Sequence, residues 1–242
     1  MKVTLISHTP NAAELLLFTK STRLTLSPGL MEDIAAWPEA RKLKELAYMT
    51  NTIKSSWEFI DFVFLVEGVS RAFTHQAVRT RNASYAQQSL RVLNVGDYDY
   101  VMTPGNRLNP AVPDMLGKAN RYVAAAYKAL IALGQAPEDA RGILPTNIAT
   151  NIVCKYNLRT LSELCVSRTG GRTQAEYQLV VNAMADAALA VYPWLDQFLF
   201  PAQRDHFKEI EDFAQREYGG DLLKKGELLK IVDRMRSEAH HA

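Results

Sequence analysis

The apolar positions fall into two periods along the chain, and the switches between them lay out the elements. Residues 2–7 set Val3 and Leu5 against polar neighbours, which predicts an opening strand. Asn11 stands where it can cap a helix running through Ala12 to about Lys20, with residues 15–17 facing inward. A second helical pattern over roughly 29–50 breaks at Pro38, whose nitrogen cannot donate to the preceding turn. From Trp57 the period becomes two. Ile60, Phe62, Phe64 and Val66 form one strongly apolar face, while Val63 and Leu65 make the other partly apolar, so a central strand covered on both sides is expected.

A helix over 69–78 follows, then an irregular polar stretch to Ser89 and short strands near 90–94 and 98–102. Residues 103–106 read as a turn, and Asn109-Pro110 opens a helix over 111–134. A helix at 137–142, a strand at 148–156 and a helix at 158–167 come next. The cleanest helix is 173–191, where Tyr177, Val180, Val181, Met184, Ala187, Ala188 and Val191 share one stripe. A charged tail over 203–238 is also helical. No repeat, low-complexity run or linker interrupts the sequence. The fold class is therefore α+β: one mixed domain over 1–242, with a central sheet flanked by helices.

Composition narrows the function classes. The chain has 242 residues, 48% hydrophobic and 22% charged, ordinary for a globular protein with one sizeable core. A net charge of +2 argues against a polyanion-coating protein. Cys154 and Cys165 lie in no metal-ligand spacing and read as buried thiols in a reducing compartment; no metal is expected. The N-terminal apolar run is too short for a signal peptide and nothing is long enough to span a bilayer, so a cytoplasmic protein is expected.

The candidate chemistry is cationic. Between Glu67 and Asp97 there is no acidic residue, yet Arg71, Arg79, Arg81 and Arg91 fall there among Gln76, Asn82, Ser84, Gln87, Gln88 and Ser89. An unbalanced arginine group among amides and hydroxyls suits an anion, phosphate above all. Arg159, Arg168 and Arg172 form a second group, which solvation or pairing with Glu163 and Glu176 would also explain; that blander account is preferred for Arg172. There is no GxGxxG, P-loop, GxSxG or HExxH. His75, alone beside apolar neighbours, reads as a packed structural histidine.

Residues 67–91, EGVSRAFTHQAVRTRNASYAQQSLR, resemble the signature segment of the flavin-dependent thymidylate synthases, the ThyX family. That family carries Arg-His-Arg, seven residues, Ser, and two places on Arg. Here Arg79-Thr80-Arg81, Ser89 and Arg91 reproduce it with one change. Trp57-Glu58-Phe59 with Phe62 and Phe64 is similar to the family's Glu-His-x-x-Phe-x-Phe strand. Arg141 to Pro145 resembles Arg-x-x-Leu-Pro, and Asn157-Leu158-Arg159-Thr160-Leu161 with Arg168 resembles Asn-x-Arg-x-Leu and its downstream arginine. The elements occur in family order over residues 1–195, leaving 203–238 as a helical tail.

The resemblance implies a ThyX-like homotetramer with active sites where subunits meet. FAD is reduced by NADPH there, a one-carbon unit comes from methylenetetrahydrofolate, and dUMP becomes dTMP with no cysteine attacking the base. Gln76, Arg79, Gln87, Ser89, Arg91, Arg141 and Arg168 look like nucleotide contacts. Ser89 and Arg91 would hold phosphate, and Arg168 would face the base; Arg168 and Ser89 stand nearest the chemistry. Thr25, Ser55, Glu58, Arg79, Arg81, Asn82, Gln87, Asn157, Arg159 and Glu163 look like flavin contacts. Polymeric nucleic acid and membrane are not expected partners.

The sequence departs from the family at Thr80, which replaces the motif histidine, and at Ile53 and Phe59, which replace two others. Val92, Ala86 and Glu163 also differ from common family residues. These losses fall around the flavin, where folate would stack. Two alternatives follow: the same scaffold acting on UMP or dCMP by methylation or hydroxymethylation, and a non-catalytic flavin- or nucleotide-binding homologue. An RNA-binding module is disfavoured, because only Phe73 and Tyr85 interrupt the arginine stretch.

Overall fold

Phe62, Phe64 and Val66 are wholly buried on one face of a single strand, and the rest of the core is built against them. The computed structural model describes residues 1–24, 26–52, 54–91, 98–169, 173–201, 206–218 and 220–241. Its elements run β1 (Lys2–His8), α1 (Ala12–Ser21), α2 (Leu30–Ala35), α3 (Glu39–Met49), β2 (Asp61–Ser70), α4 (Arg71–Ala77) and β3 (Ala83–Gln87). After these come α5 (Ala111–Ala132), α6 (Pro137–Ala140), β4 (Ala149–Asn157), α7 (Leu158–Arg168), α8 (Ala175–Val191), α9 (Asp196–Leu199), α10 (His206–Tyr218) and α11 (Leu222–His241).

The four strands form an antiparallel sheet in the order β1-β2-β4-β3, so β2 and β4 are central. On β2 the even residues from Phe62 to Val66 are sealed, while Val63 and Leu65 on the other face are half-buried. Helices α1, α7 and α8 supply the opposing wall, with Leu16, Leu17, Leu161, Val180, Val181 and Met184 buried in one cluster. Each such side chain contributes roughly 1.5–3 kcal/mol when fully buried. The two cysteines are free and buried within this core, as their spacing predicts.

A bulge interrupts the β2–β4 ladder. Val66 pairs with Ile152 and Val69 with Thr150, so Glu67 and Gly68 together face the single residue Asn151. Gly68 takes φ 64°, a left-handed value that suits glycine, and its N–H donates to Asn151 Oδ1 at 3.0 Å. Beyond the bulge Ser70 ends the strand and caps α4, accepting from the Phe73 N–H at 3.0 Å.

The chain divides into two compact units, Met1–Pro201 and Ala202–Ala242. The second holds α10 and α11, with the Asp221 carboxylate accepting from the Lys224 N–H at the start of α11.

Several expectations need correction. Asn11 is left-handed at φ 49° and makes no side-chain cap; only its carbonyl serves α1, accepting from the Leu15 N–H. The polar stretch before Ser89 contains β3, an edge strand whose Ala83, Tyr85 and Gln87 turn inward. Pairing with β4 overrides its poor apolar pattern. The strand expected at 98–102 is reduced to one bridge, Tyr100 to Ile148. That expected at 90–94 lies mostly outside the described residues. Pro104–Arg107 form a 3-10 turn.

Candidate functional site

Two cavities at the β3 side of the sheet are lined by four of the predicted residues, Glu58, Asn82 and Asn157 in one and Arg141 in the other. The first, of about 300 Å³, is polar and lined by Glu58, Asp61, Asn82, Ala83, Ser84, Lys155 and Asn157. It brings together three of the residues assigned to flavin: Glu58, Asn82 and Asn157. Arg159 adjoins it as the hub of an ion-pair triad, donating from Nη1 to Glu58 at 2.8 Å and from Nε to Glu163 at 3.1 Å. These bonds hold the Arg159 pKa above its ordinary value. Asn157 has a local duty as well, since its Oδ1 caps α7 by accepting from the Thr160 N–H. Ser55 accepts from Arg23, a residue absent from the predicted set, at 2.8 Å. Arg79 and Arg81 are exposed in the connection from α4 to β3. Thr25, Ile53 and Arg172 lie outside the described residues.

The second cavity, of about 280 Å³, is lined by Arg71, His75, Leu90, Arg141, Gly142, Leu144, Pro145, Thr146 and Ile148. None of these lining residues is acidic. Arg71 enters from the start of α4 and donates from Nη2 to the Gln88 carbonyl at 2.5 Å. Its Nε is buried without a hydrogen-bond partner among the described residues. Burial first, and the neighbouring Arg141 second, hold the Arg71 pKa below its ordinary value. Two like charges thus share one hollow, and burial removes the water that would screen them. An anion there would satisfy both.

Next to the lining residue Leu90 stand two other predicted residues, Ser89 and Arg91. The Ser89 hydroxyl accepts from the Arg91 N–H at 3.1 Å. The Arg91 guanidinium grips the Glu138 carboxylate, at 2.9 Å from Nη2 and 3.2 Å from Nε. Arg141 donates from Nε to the backbone carbonyl of the same Glu138. Arg91 is thus balanced by an acid from α6, although no acid is near it in sequence. A guanidinium has five N–H donors, so Arg91 keeps others for a second partner. Arg71 is the functional candidate left out of the predicted set. The signal for it was present: an arginine eight residues before Arg79 in an acid-free stretch. His75 is exposed and lines the hollow, not packed as expected.

The remaining nucleotide candidates sit nearby in sequence and fold. Gln76, on α4, donates to the Gln174 side chain. Gln87 turns inward from β3 and donates to Thr74 at 2.9 Å. Arg168 ends α7 with its guanidinium 5.2 Å from the Tyr177 ring centre. The Tyr177 hydroxyl is buried and has no hydrogen-bond partner among the described residues. Burial raises its pKa, and nearby Thr80 and Arg168 moderate the rise. A third cavity, of about 560 Å³ and lined by Gly68, Tyr100, Arg107 and Glu176 among others, holds none of the predicted residues. Among the described residues no group of histidine, cysteine, aspartate or glutamate could hold a metal ion. Nor is any of their helices long and apolar enough to cross a membrane.

Fold and site together define an α+β protein with an arginine-lined hollow and a separate polar cleft. A family model described as thymidylate synthase complementing protein matches residues 4–194. The flavin-dependent thymidylate synthase of Nitratidesulfovibrio vulgaris is 34% identical over 211 residues, covering 80% of this chain and 84% of that protein. That of Clostridium tetani is 29% identical over 220 residues, covering 84% and 88%. That of Geobacter sulfurreducens is 32% identical over 198 residues. The chain belongs to the flavin-dependent thymidylate synthase family.

Proposed function

We propose that this protein methylates carbon 5 of dUMP to give dTMP, with FAD as bound cofactor and NADPH and methylenetetrahydrofolate as co-substrates. The observation that carries the reading is the hollow in which Arg71 and Arg141 face each other without an acid, flanked by Ser89 and Arg91. A nucleotide monophosphate supplies the missing dianion, and charge-assisted bonds to fixed guanidinium groups are the strong kind. Arg71, Ser89, Arg91 and Arg141 hold the phosphate, Gln76 and Gln87 border the sugar and base, and Arg168 faces the base. Glu138 steadies Arg91 before the nucleotide arrives, which lowers the ordering cost of binding.

The polar cleft fits a flavin dinucleotide in its chemistry. Asn82 and Asn157 offer amide donors and acceptors, and Glu58, Arg159 and Glu163 form a charged rim. Arg81, Ser55 and Arg79 complete the set. When bound, FAD supplies the hydride that finishes the methyl group. At about 300 Å³ the cleft is at the small end for a small-molecule site and encloses only part of a dinucleotide. In the proposed homotetramer, other subunits close the rest of the site. Neither thiol acts as nucleophile: Cys154 and Cys165 are buried, and burial pushes both pKa values up to about 12.

A second reading keeps the scaffold and changes the base to that of UMP or dCMP. Thr80 motivates it, since it stands by Tyr177, the ring that Arg168 also approaches, where the family's motif has a histidine. Tritium release from 5-labelled dUMP, UMP and dCMP by the FAD-loaded protein ranks them. Release from dUMP with dTMP formed supports the first reading; release from another nucleotide alone selects the second. Protein that binds neither FAD nor any of the three overturns both.

A further inference from the structure

Glu176 is buried in the first turn of α8, with 4% of its surface exposed. Its Oε1 accepts from the Ser70 N–H at 2.7 Å and its Oε2 from the Ser70 hydroxyl at 2.5 Å. Both carboxylate oxygens are thus spent on one residue. Ser70 in turn caps α4, its Oγ accepting from the Phe73 N–H. The same turn of α8 touches α4 at two further points. Tyr177 meets Phe73 edge to face at 5.1 Å between ring centres, and Gln174, just ahead of α8, accepts from Gln76. Ser70, Phe73 and Gln76 recur at a spacing of three, which is one face of a helix.

Burying a carboxylate costs several kcal/mol, and an apolar residue of similar volume would hold two helices together at least as well. What the carboxylate adds is direction. Two short bonds to one residue's N–H and hydroxyl fix where α4 begins and how it is turned, as hydrophobic packing does not. α4 is the helix that carries Arg71 and His75 into the arginine hollow, Gln76 beside it and Arg79 just beyond.

We propose that Glu176 is a positioning residue for nucleotide binding: through Ser70 it sets the start and rotation of α4, and so aims Arg71 and Gln76. It touches no substrate. The inference rests on the functional reading above and goes beyond it, because Glu176 lies outside both site cavities. Glu176→Gln leaves one oxygen to accept and turns the other contact into a donor, so that either the Ser70 hydroxyl proton loses its acceptor or the Ser70 N–H faces another N–H. Ser70→Ala removes the same link from the other side.

The test is dUMP titration of the FAD-loaded full-length protein, followed by the flavin absorbance, with thermal unfolding in parallel. Glu176→Gln and Ser70→Ala are each expected to weaken dUMP about tenfold, and the double variant to lose no more than the worse single one, because both break one link. FAD affinity should fall by less than dUMP affinity, since Glu58, Asn82 and Asn157 of the flavin cleft lie outside α4 and share no residue with this link. A lowered unfolding temperature with unchanged dUMP affinity overturns the proposal, as do additive losses in the double variant. Should either variant fail to fold, Gln174→Ala cuts the strut to Gln76 alone and is expected to weaken dUMP about threefold; unchanged affinity there also overturns it. Loss of dUMP binding in Arg91→Ala with none in Glu176→Gln sinks this inference and leaves the functional reading standing. A parent protein that binds no pyrimidine nucleotide sinks both.

Discussion

Arg91 and Arg141 share one anchor, the first on the side chain of Glu138 and the second on its backbone carbonyl. A single residue of α6 therefore fixes the spacing of two cations that sequence separates by half a hundred positions. The Arg91–Glu138 pair is itself open to solvent, at 64% and 48% side-chain exposure, and contributes at most about 1 kcal/mol. Arg91→Ala is expected to weaken dUMP by about 1.5–3 kcal/mol, the scale of a hydrogen bond to a charged group. Deoxyuridine, which lacks the phosphate, should be nearly indifferent. Calorimetric titration of both ligands decides it, and equal losses would mean that Arg91 supports the fold instead.

Arg71 gives a contrast of sign. Its guanidinium is held below its ordinary pKa by burial and by Arg141, so removing it from the ligand-free protein relieves a repulsion. Arg71→Met keeps the stem and drops the charge. Nucleotide affinity should fall by about 1–3 kcal/mol, while the unfolding temperature without nucleotide stays level or rises. A drop in both would show that the arginine is a structural strut.

Thr80→His addresses the motif departure. Tyr177 stands beside Thr80 with an unsatisfied hydroxyl, so an imidazole introduced there acquires a hydrogen-bond partner as well as a ring for the pterin. The folate-dependent rate should change more than dUMP affinity, measured by steady-state methyl transfer beside nucleotide titration. In Tyr177→Phe the rate difference between threonine and histidine at position 80 should shrink. Equal rates in all four proteins would leave the departure without functional weight.

The cysteines yield a pH prediction. Both thiols rise from an ordinary value near 9 to about 12 on burial, so the folded state holds their protons longer than the unfolded state. Their contribution to stability is fully present below the ordinary thiol pKa and is lost as pH climbs toward about 12. Alkylation by iodoacetamide at neutral pH should label neither thiol until the protein is unfolded. Cys154→Ser and Cys165→Ser should retain turnover, with packing losses only. Rapid labelling of the native protein would contradict the buried assignment.

Sequence patterning made the core legible because its side chains repeat with a fixed period: Phe62, Phe64 and Val66 on β2, and Val180, Val181 and Met184 on α8. β3 was not legible, since Ala83, Ser84 and Ala86 carry little apolar contrast and only pairing with β4 makes them a strand. The family motifs pointed to Arg91 and Arg141 as candidates but not to what holds them. Glu138 and Glu176 act through contacts 47 and 106 residues apart in sequence, and nothing local marks either carboxylate. Arg71 was visible as a charge, yet its orientation depends on where α4 starts.

That starting point goes back to the bulge at Gly68. A strand is a two-stroke count, inward and outward, and the extra residue opposite Asn151 makes β2 skip a stroke. Before the bulge the even positions face the core; after it the odd Val69 takes that phase, opposite Thr150 as Val66 stands opposite Ile152. The helix that follows inherits that offset. Losing one residue here would keep every apolar side chain of the strand and restore an unbroken rhythm, yet α4 would leave the sheet from the opposite phase. The arginine hollow is thus built on a deliberate miscount in the sheet, held by a glycine tied across to an asparagine side chain.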